Sequence, residues 1–170
     1  MAASRSMIKL VKEVLTVNGL PTVVSKILPR NNIHKHVIVL IPGNPGLVEF
    51  YDDFITALFD SLQRQYPVYA IAHAGHSPTN DYPVNGSLSH SHATEPSSLP
   101  LSLEEQIMHK KIFLEEHIPP ESKIILIGHS IGAYIILHLL KIVVEPQMSS
   151  RVFCYFQQLN EWRYLPAADM

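Results

Sequence analysis

The chain carries one cysteine, Cys154, in 170 residues, so an internal disulfide is excluded, and so sparing a use suits a reducing compartment. Charge is scarce too. Only 16% of residues are charged, with 13 Lys and Arg against 15 Asp and Glu and a net charge of -2. That balance holds no basic excess to grip phosphates, which argues against a nucleic-acid partner. Long apolar runs are missing as well. The most apolar stretch, IGAYIILHLLKIVV, is broken by His138 and Lys141 and falls short of the roughly 18 to 20 residues needed to span a bilayer. MAASRSMIKLVKEVLTVNGL has neither the uninterrupted apolar region nor the small-residue cleavage site of a secretory signal, so no secretion is expected. No basic amphipathic helix stands out, and any membrane contact is expected to be peripheral. No G-x-G-x-x-G or P-loop string suggests a nucleotide, and no internal repeat is visible.

What is present is a chain 46% hydrophobic, long enough for one domain with a substantial core. VKEVLTVNGLPTVVSKIL reads as a β-hairpin turning at Asn18-Gly19, a pair that tolerates positive φ. HVIVLIPG is a β-branched run ending in Pro42-Gly43, the pattern of a strand buried on both faces. LVEFYDDFITALFDSLQRQY predicts a helix with Val48, Tyr51, Ile55, Leu58, Phe59 and Leu62 on one stripe. PVYAIAHAGHS is a further strand running into a loop. Ser77 to Pro100, rich in Ser, Pro, Asn and His, reads as a mobile, dispensable surface loop. Ser102 and Glu105 form a capping box ahead of a helix presenting Leu103, Ile107, Leu114 and Ile118, which stops before Pro119-Pro120. The strand KIILIG follows. The alternation of strand and helix predicts an α/β fold, a mostly parallel sheet with helices on both faces.

The chemistry concentrates at Gly128-His129-Ser130-Ile131-Gly132, between an apolar strand and an apolar helix, the context of a nucleophile elbow. Gly128 and Gly132 suit a turn so sharp that side chains there would strike the neighbouring strand and helix. Ser130 is then the candidate nucleophile. A tetrahedral intermediate also needs oxyanion donors: the N–H after the nucleophile, from Ile131, and one from an earlier loop. Pro42-Gly43-Asn44-Pro45-Gly46 has that position, with Asn44 as the candidate.

IPGNPGLVEFY, PVYAIAHAGHS and IGHSIGAY together resemble the lipid droplet-associated hydrolase family of α/β-hydrolases, from the first hairpin to about Phe156. The resemblance implies a serine hydrolase of lipid esters, involved in lipid storage, with no cofactor, at lipid droplets and the endoplasmic reticulum. It leaves the ester and the oligomeric state open. In these enzymes the acid and then the base follow the nucleophile in the chain. Here only His138 follows Ser130 among the histidines, two helical turns away, and QQLNEWRYLPAADM departs from the family pattern. The expectation is therefore a C-terminally truncated chain: residues 1–156 as the N-terminal part of the fold with its last strands missing, and 157–170 as a divergent tail. Such a chain would be poorly stable, catalytically incomplete, and would expose VFCYF as an edge strand. A non-catalytic fragment that binds lipid or a partner is the alternative. His73, His76 and His129 are weighed as substitute bases and read instead as structural or rim residues. His90 and His92 lack a third ligand, so no metal is expected.

Overall fold

The computed structural model describes residues 9–30, 35–84, 101–142, 152–158 and 161–166, for the last two segments as paired strands. Among these residues seven strands form one sheet in the order β1-β2-β4-β3-β5-β6-β7. The strands are β1 (Val11–Val17), β2 (Leu20–Ile27), β3 (His36–Ile41), β4 (Val68–Ile71), β5 (Lys123–His129), β6 (Val152–Gln158) and β7 (Glu161–Pro166). Pairings β4-β3, β3-β5 and β5-β6 are parallel, and β1-β2, β2-β4 and β6-β7 antiparallel. The hairpin turns where expected: Asn18 and Gly19 both take positive φ, 51° and 75°, the requirement of a two-residue turn matched to strand twist.

Among the described residues three α-helices cover the sheet: α1 (Asp52–Ser61), led in by a 3-10 turn over Val48–Tyr51, α2 (Leu103–His117) and α3 (Ile131–Ile142). The alternation of side chains along a strand assigns them to two cores. Val37, Val39 and Ile41 of β3 join Ile124 and Leu126 of β5 against Phe113, Leu114, Ile135, Ile136 and Leu139 of α2 and α3. Ile38 and Leu40 join Val68, Ala70 and Ile127 against Val48, Ile55 and Phe59 of the 3-10 turn and α1. This split follows from crossover handedness. The connection β3-α1-β4 runs one way across the sheet, while β4-α2-β5 and β5-α3-β6 run the other, so their helices fall on opposite faces.

Three expectations need revising. The helix read over residues 47–66 is a 3-10 turn followed by ten α-helical residues, and it closes where Gln63 and Arg64 take positive φ, 56° and 59°. The strand at Val152–Gln158 is not an edge: β7 pairs with it from Phe153↔Pro166 to Gln158↔Glu161. EWRYLP was given no structure from sequence, although Trp, Tyr and Leu favour a pleated surface. The start of the expected mobile loop is anchored, since Val14 N–H donates to Pro83 O at 2.9 Å and Val84 bridges Val14 in parallel. Tyr82 also donates to Glu49 at 2.6 Å. Residues 85–100, with His90 and His92, lie outside the described residues. So do the side chains of the two last strands, Cys154 included.

Candidate active site

Register builds the site. Ile41 lies opposite Gly128, and Leu40 lies opposite both Ile127 and Ala70, so β3, β4 and β5 end at the same level of the sheet. The segments that follow them, 42–46, 72–76 and 129–131, therefore meet at one edge. This is also where the strand order reverses, with β3 continuing to β4 on one side and β5 lying on the other. Such switch points at the carboxyl ends of parallel strands are where open α/β sheets bind ligands.

Ser130 sits on the turn between β5 and α3 at φ +53°, a left-handed conformation that costs a non-glycine residue of order 1–3 kcal/mol. Its neighbours allow the turn. A Cβ on Gly132 would lie 2.2 Å from the Ile41 carbonyl oxygen and 2.6 Å from that of Pro42, so the glycine lets α3 pack on the end of β3. A Cβ on Gly128 would meet Ala133 backbone at 2.6 Å, inside the first turn of α3. These are the two collisions expected from the sequence, one with a strand and one with a helix. The Ser130 carbonyl caps the turn, accepting from Ala133 N–H at 3.0 Å.

The loop after β3 faces this turn, and a Cβ on Gly43 would lie 3.0 Å from Ser130 Cβ. The loop's donors can be counted. Pro42 and Pro45 have no N–H. Gly46 N–H donates to Gly43 O at 2.7 Å, closing a turn across the cis Asn44–Pro45 bond. Gly43 N–H donates to the Tyr51 phenol at 2.8 Å. Among the described residues nothing accepts from Asn44 N–H, which leaves it as the loop's one backbone donor open to a ligand. Ile131 N–H, at the first position of α3, likewise lies ahead of the intrahelical ladder.

His73 and His76 lie on the neighbouring loop, a turn closed by His76 N–H to His73 O at 3.1 Å with Gly75 at φ +77°. This turn is tied to the first loop twice: His73 N–H donates to Gly46 O at 3.0 Å, and His76 Nδ1 to Pro45 O at 2.6 Å. The His73 ring is buried, and neither of its nitrogens has a partner among the described residues. Burial, with the Lys110 and His76 charges adding to it, pushes its pKa down to about 3. A base that weak takes few protons near neutrality. His129 Nδ1 is hydrogen-bonded to Tyr51 at 2.8 Å, and His138 packs against Tyr134 with tilted rings whose centroids are 4.3 Å apart. Among the described residues no side chain is hydrogen-bonded to the Ser130 hydroxyl, and no group of three His, Cys, Asp or Glu could hold a metal.

Below the loops lies a polar cluster that the sequence reading missed. Gln106, His109 and Lys110 of α2 are buried. Gln106 brackets Ala74, accepting from its N–H and donating to its carbonyl, both at 3.0 Å. Lys110 Nζ reaches Ala72 O at 2.8 Å, His109 Nδ1 at 3.0 Å and Gln106 Oε1 at 3.4 Å, three acceptors for the three protons of an ammonium. His109 Nε2 continues the chain to Thr22 Oγ1 at 2.8 Å. Burial pushes Lys110 down to about 7, and burial followed by the charges of Lys110 and His73 pushes His109 to about 2. The cluster satisfies the Ala72 carbonyl and both backbone groups of Ala74, just past the end of β4. The signal available in sequence was the weak amphipathicity of QIMHKKIF, whose polar residues face inward.

A strained serine on a strand-to-helix turn, at the switch point of a mixed sheet whose central strands are parallel, defines an α/β-hydrolase fold. Solved structures agree. A CIB-like hydrolase of Thermoplasma acidophilum superposes with a TM-score of 0.58 at 15% identity, covering 87% of this chain and 63% of that one. Epoxide Hydrolase A of Mycobacterium thermoresistibile gives 0.55 at 20% identity, covering 85% and 37%. The family model of the lipid-droplet associated hydrolases matches residues 34–160, and the chain belongs to that family. The human lipid droplet-associated hydrolase is 43% identical over 112 residues, 65% of this chain and 34% of that protein. The Drosophila melanogaster relative is 36% identical over 130 residues, 75% and 41% respectively. The chain thus spans about a third of the length of the human relative. Among the described residues no helix is long and apolar enough to cross a membrane.

Proposed function

We propose that this chain supplies the nucleophile and oxyanion donors of a serine hydrolase acting on carboxylic esters of lipids. Its place of action is the surface of lipid droplets and the cytosolic face of the endoplasmic reticulum. The observation that carries the reading is Ser130, held at φ +53° between Gly128 and Gly132 and facing a loop whose one unspent backbone donor is Asn44 N–H. In the proposed reaction the Ser130 oxygen adds to the ester carbonyl as its proton passes to a base. Asn44 and Ile131 N–H groups take the charge that develops on the carbonyl oxygen. The alcohol leaves with that proton, and water then releases the acid from the serine. The base and its orienting acid come from outside the described residues.

Emulsified lipid esters provide the test. Fatty acid release that disappears in Ser130→Ala supports the proposal, whereas release unchanged by that substitution overturns it. A second reading, lipid binding without hydrolysis, draws on the exposed Phe50 and Tyr134, on the segments just after the oxyanion loop and the elbow, and on the unpartnered serine hydroxyl. Emulsion binding by both proteins with turnover by neither would favour it.

A further inference from the structure

The Tyr51 side chain does more than fill the helical stripe. Its phenolic oxygen accepts from Gly43 N–H at 2.8 Å and lies 2.8 Å from His129 Nδ1, with the two rings edge to face at 5.9 Å. One hydroxyl thus joins the 3-10 turn, the loop that carries Asn44, and the residue preceding Ser130. Because Gly43 N–H already donates to the oxygen, the phenol's own proton is available to His129 Nδ1, an arrangement in which the ring proton sits on Nε2. The phenol keeps that proton, since burial raises its pKa above the ordinary value and the Gly43 N–H offsets this only in part.

We propose that Tyr51 is a positioning residue for acyl transfer at Ser130, fixing both oxyanion donors through their chain neighbours. On the loop side it consumes Gly43 N–H, which sets the plane of the preceding peptide and leaves Asn44 N–H as the open donor. On the elbow side it anchors the His129 ring, restricting rotation of the peptides that lead through Ser130 to Ile131 N–H. Oxyanion donors act only when aimed at the position the charge will occupy, so a small rotation of either peptide weakens them. The inference rests on the proposed role of Ser130, but the bridge itself can be measured apart from that role.

Tyr51→Phe removes one oxygen and preserves the ring. Two readouts follow the bridge directly: the His129 nitrogen shifts, which report the tautomer, and hydrogen exchange at the Gly43 amide. The unaltered protein should show a single Nε2–H tautomer and a protected Gly43 amide; Tyr51→Phe should show mixed tautomers and faster exchange. The third readout is the rate at which a serine-reactive phosphonate modifies Ser130, expected to fall about 10- to 100-fold, less than the loss of a whole oxyanion donor. Unchanged tautomer and exchange would overturn the bridge, and a changed bridge with an unchanged rate would overturn its role in positioning. Failure of the Ser130 reading shows separately, as modification that survives Ser130→Ala. Should Tyr51→Phe not fold, His129→Ala cuts the bridge from its exposed end, and an unchanged rate there overturns the proposal.

Discussion

The ring of His73 occupies the space that a side chain on Gly46 would need: a Cβ there would lie 2.5 Å from His73 Cδ2, while the His73 backbone N–H donates to the Gly46 carbonyl at 3.0 Å. The loops after β3 and β4 are therefore packed and bonded as one unit. The unit is held from below by Gln106 and Lys110. These contacts hold the loop that bears Asn44.

Gly46→Ala should cost about 2–3 kcal/mol, from the clash with His73 and from the left-handed backbone at φ +89°. In a urea-unfolding double-mutant cycle, His73→Ala should recover the steric part and leave about 1 kcal/mol of backbone strain. Additive effects would show that the two residues do not meet.

The glycines of the elbow and of the hairpin should respond differently. Gly132→Ala places a methyl group against the Ile41 and Pro42 carbonyls, which cannot move without disturbing β3, and should cost about 3 kcal/mol or more. Gly19→Ala meets nothing within 4 Å and should cost only about 1 kcal/mol, from its φ of +75°. Equal losses in thermal unfolding would contradict the packing described for α3.

Lys110 makes stability depend on pH in the alkaline range. Its folded pKa, about 7, lies below the unfolded value of 10.5, so the unfolded chain binds more protons between them and stability should rise with pH across that window. Lys110→Met should abolish the rise. His73 and His109 act at lower pH by the same logic, with folded values near 3 and 2 against 6.5 unfolded. Stability should therefore fall as pH drops below about 6.5, and less steeply in His109→Gln. Urea titrations from pH 4 to 10 measure both slopes.

Features written in local chemistry were legible in the sequence. Asn18-Gly19 named its turn, Ser102 and Glu105 their reciprocal cap, now seen at 3.2 and 2.7 Å, and the continuous apolar runs of β3 and β5 their burial. The Gly-x-Ser-x-Gly string was legible for the same reason, since a turn that tight admits few residues. What escaped depends on side chains meeting across the fold. Tyr51 was read as one more member of an apolar stripe, because periodicity reports which way a ring faces and not where its hydroxyl ends. Lys110, His109 and Gln106 were passed over because a buried ammonium is unfavourable unless its acceptors, contributed here by β4's end and by α2 itself, are already in place.

The central claim is that Ser130 is the reactive nucleophile, and the most direct measurement is the site of phosphonate modification, read by intact mass and peptide mapping after prolonged exposure. The account predicts a single adduct, on Ser130 in preference to every other serine, lost in Ser130→Ala and formed slowly because no described side chain is placed to take its proton. Adducts spread over surface serines, or one that persists in Ser130→Ala, would contradict it.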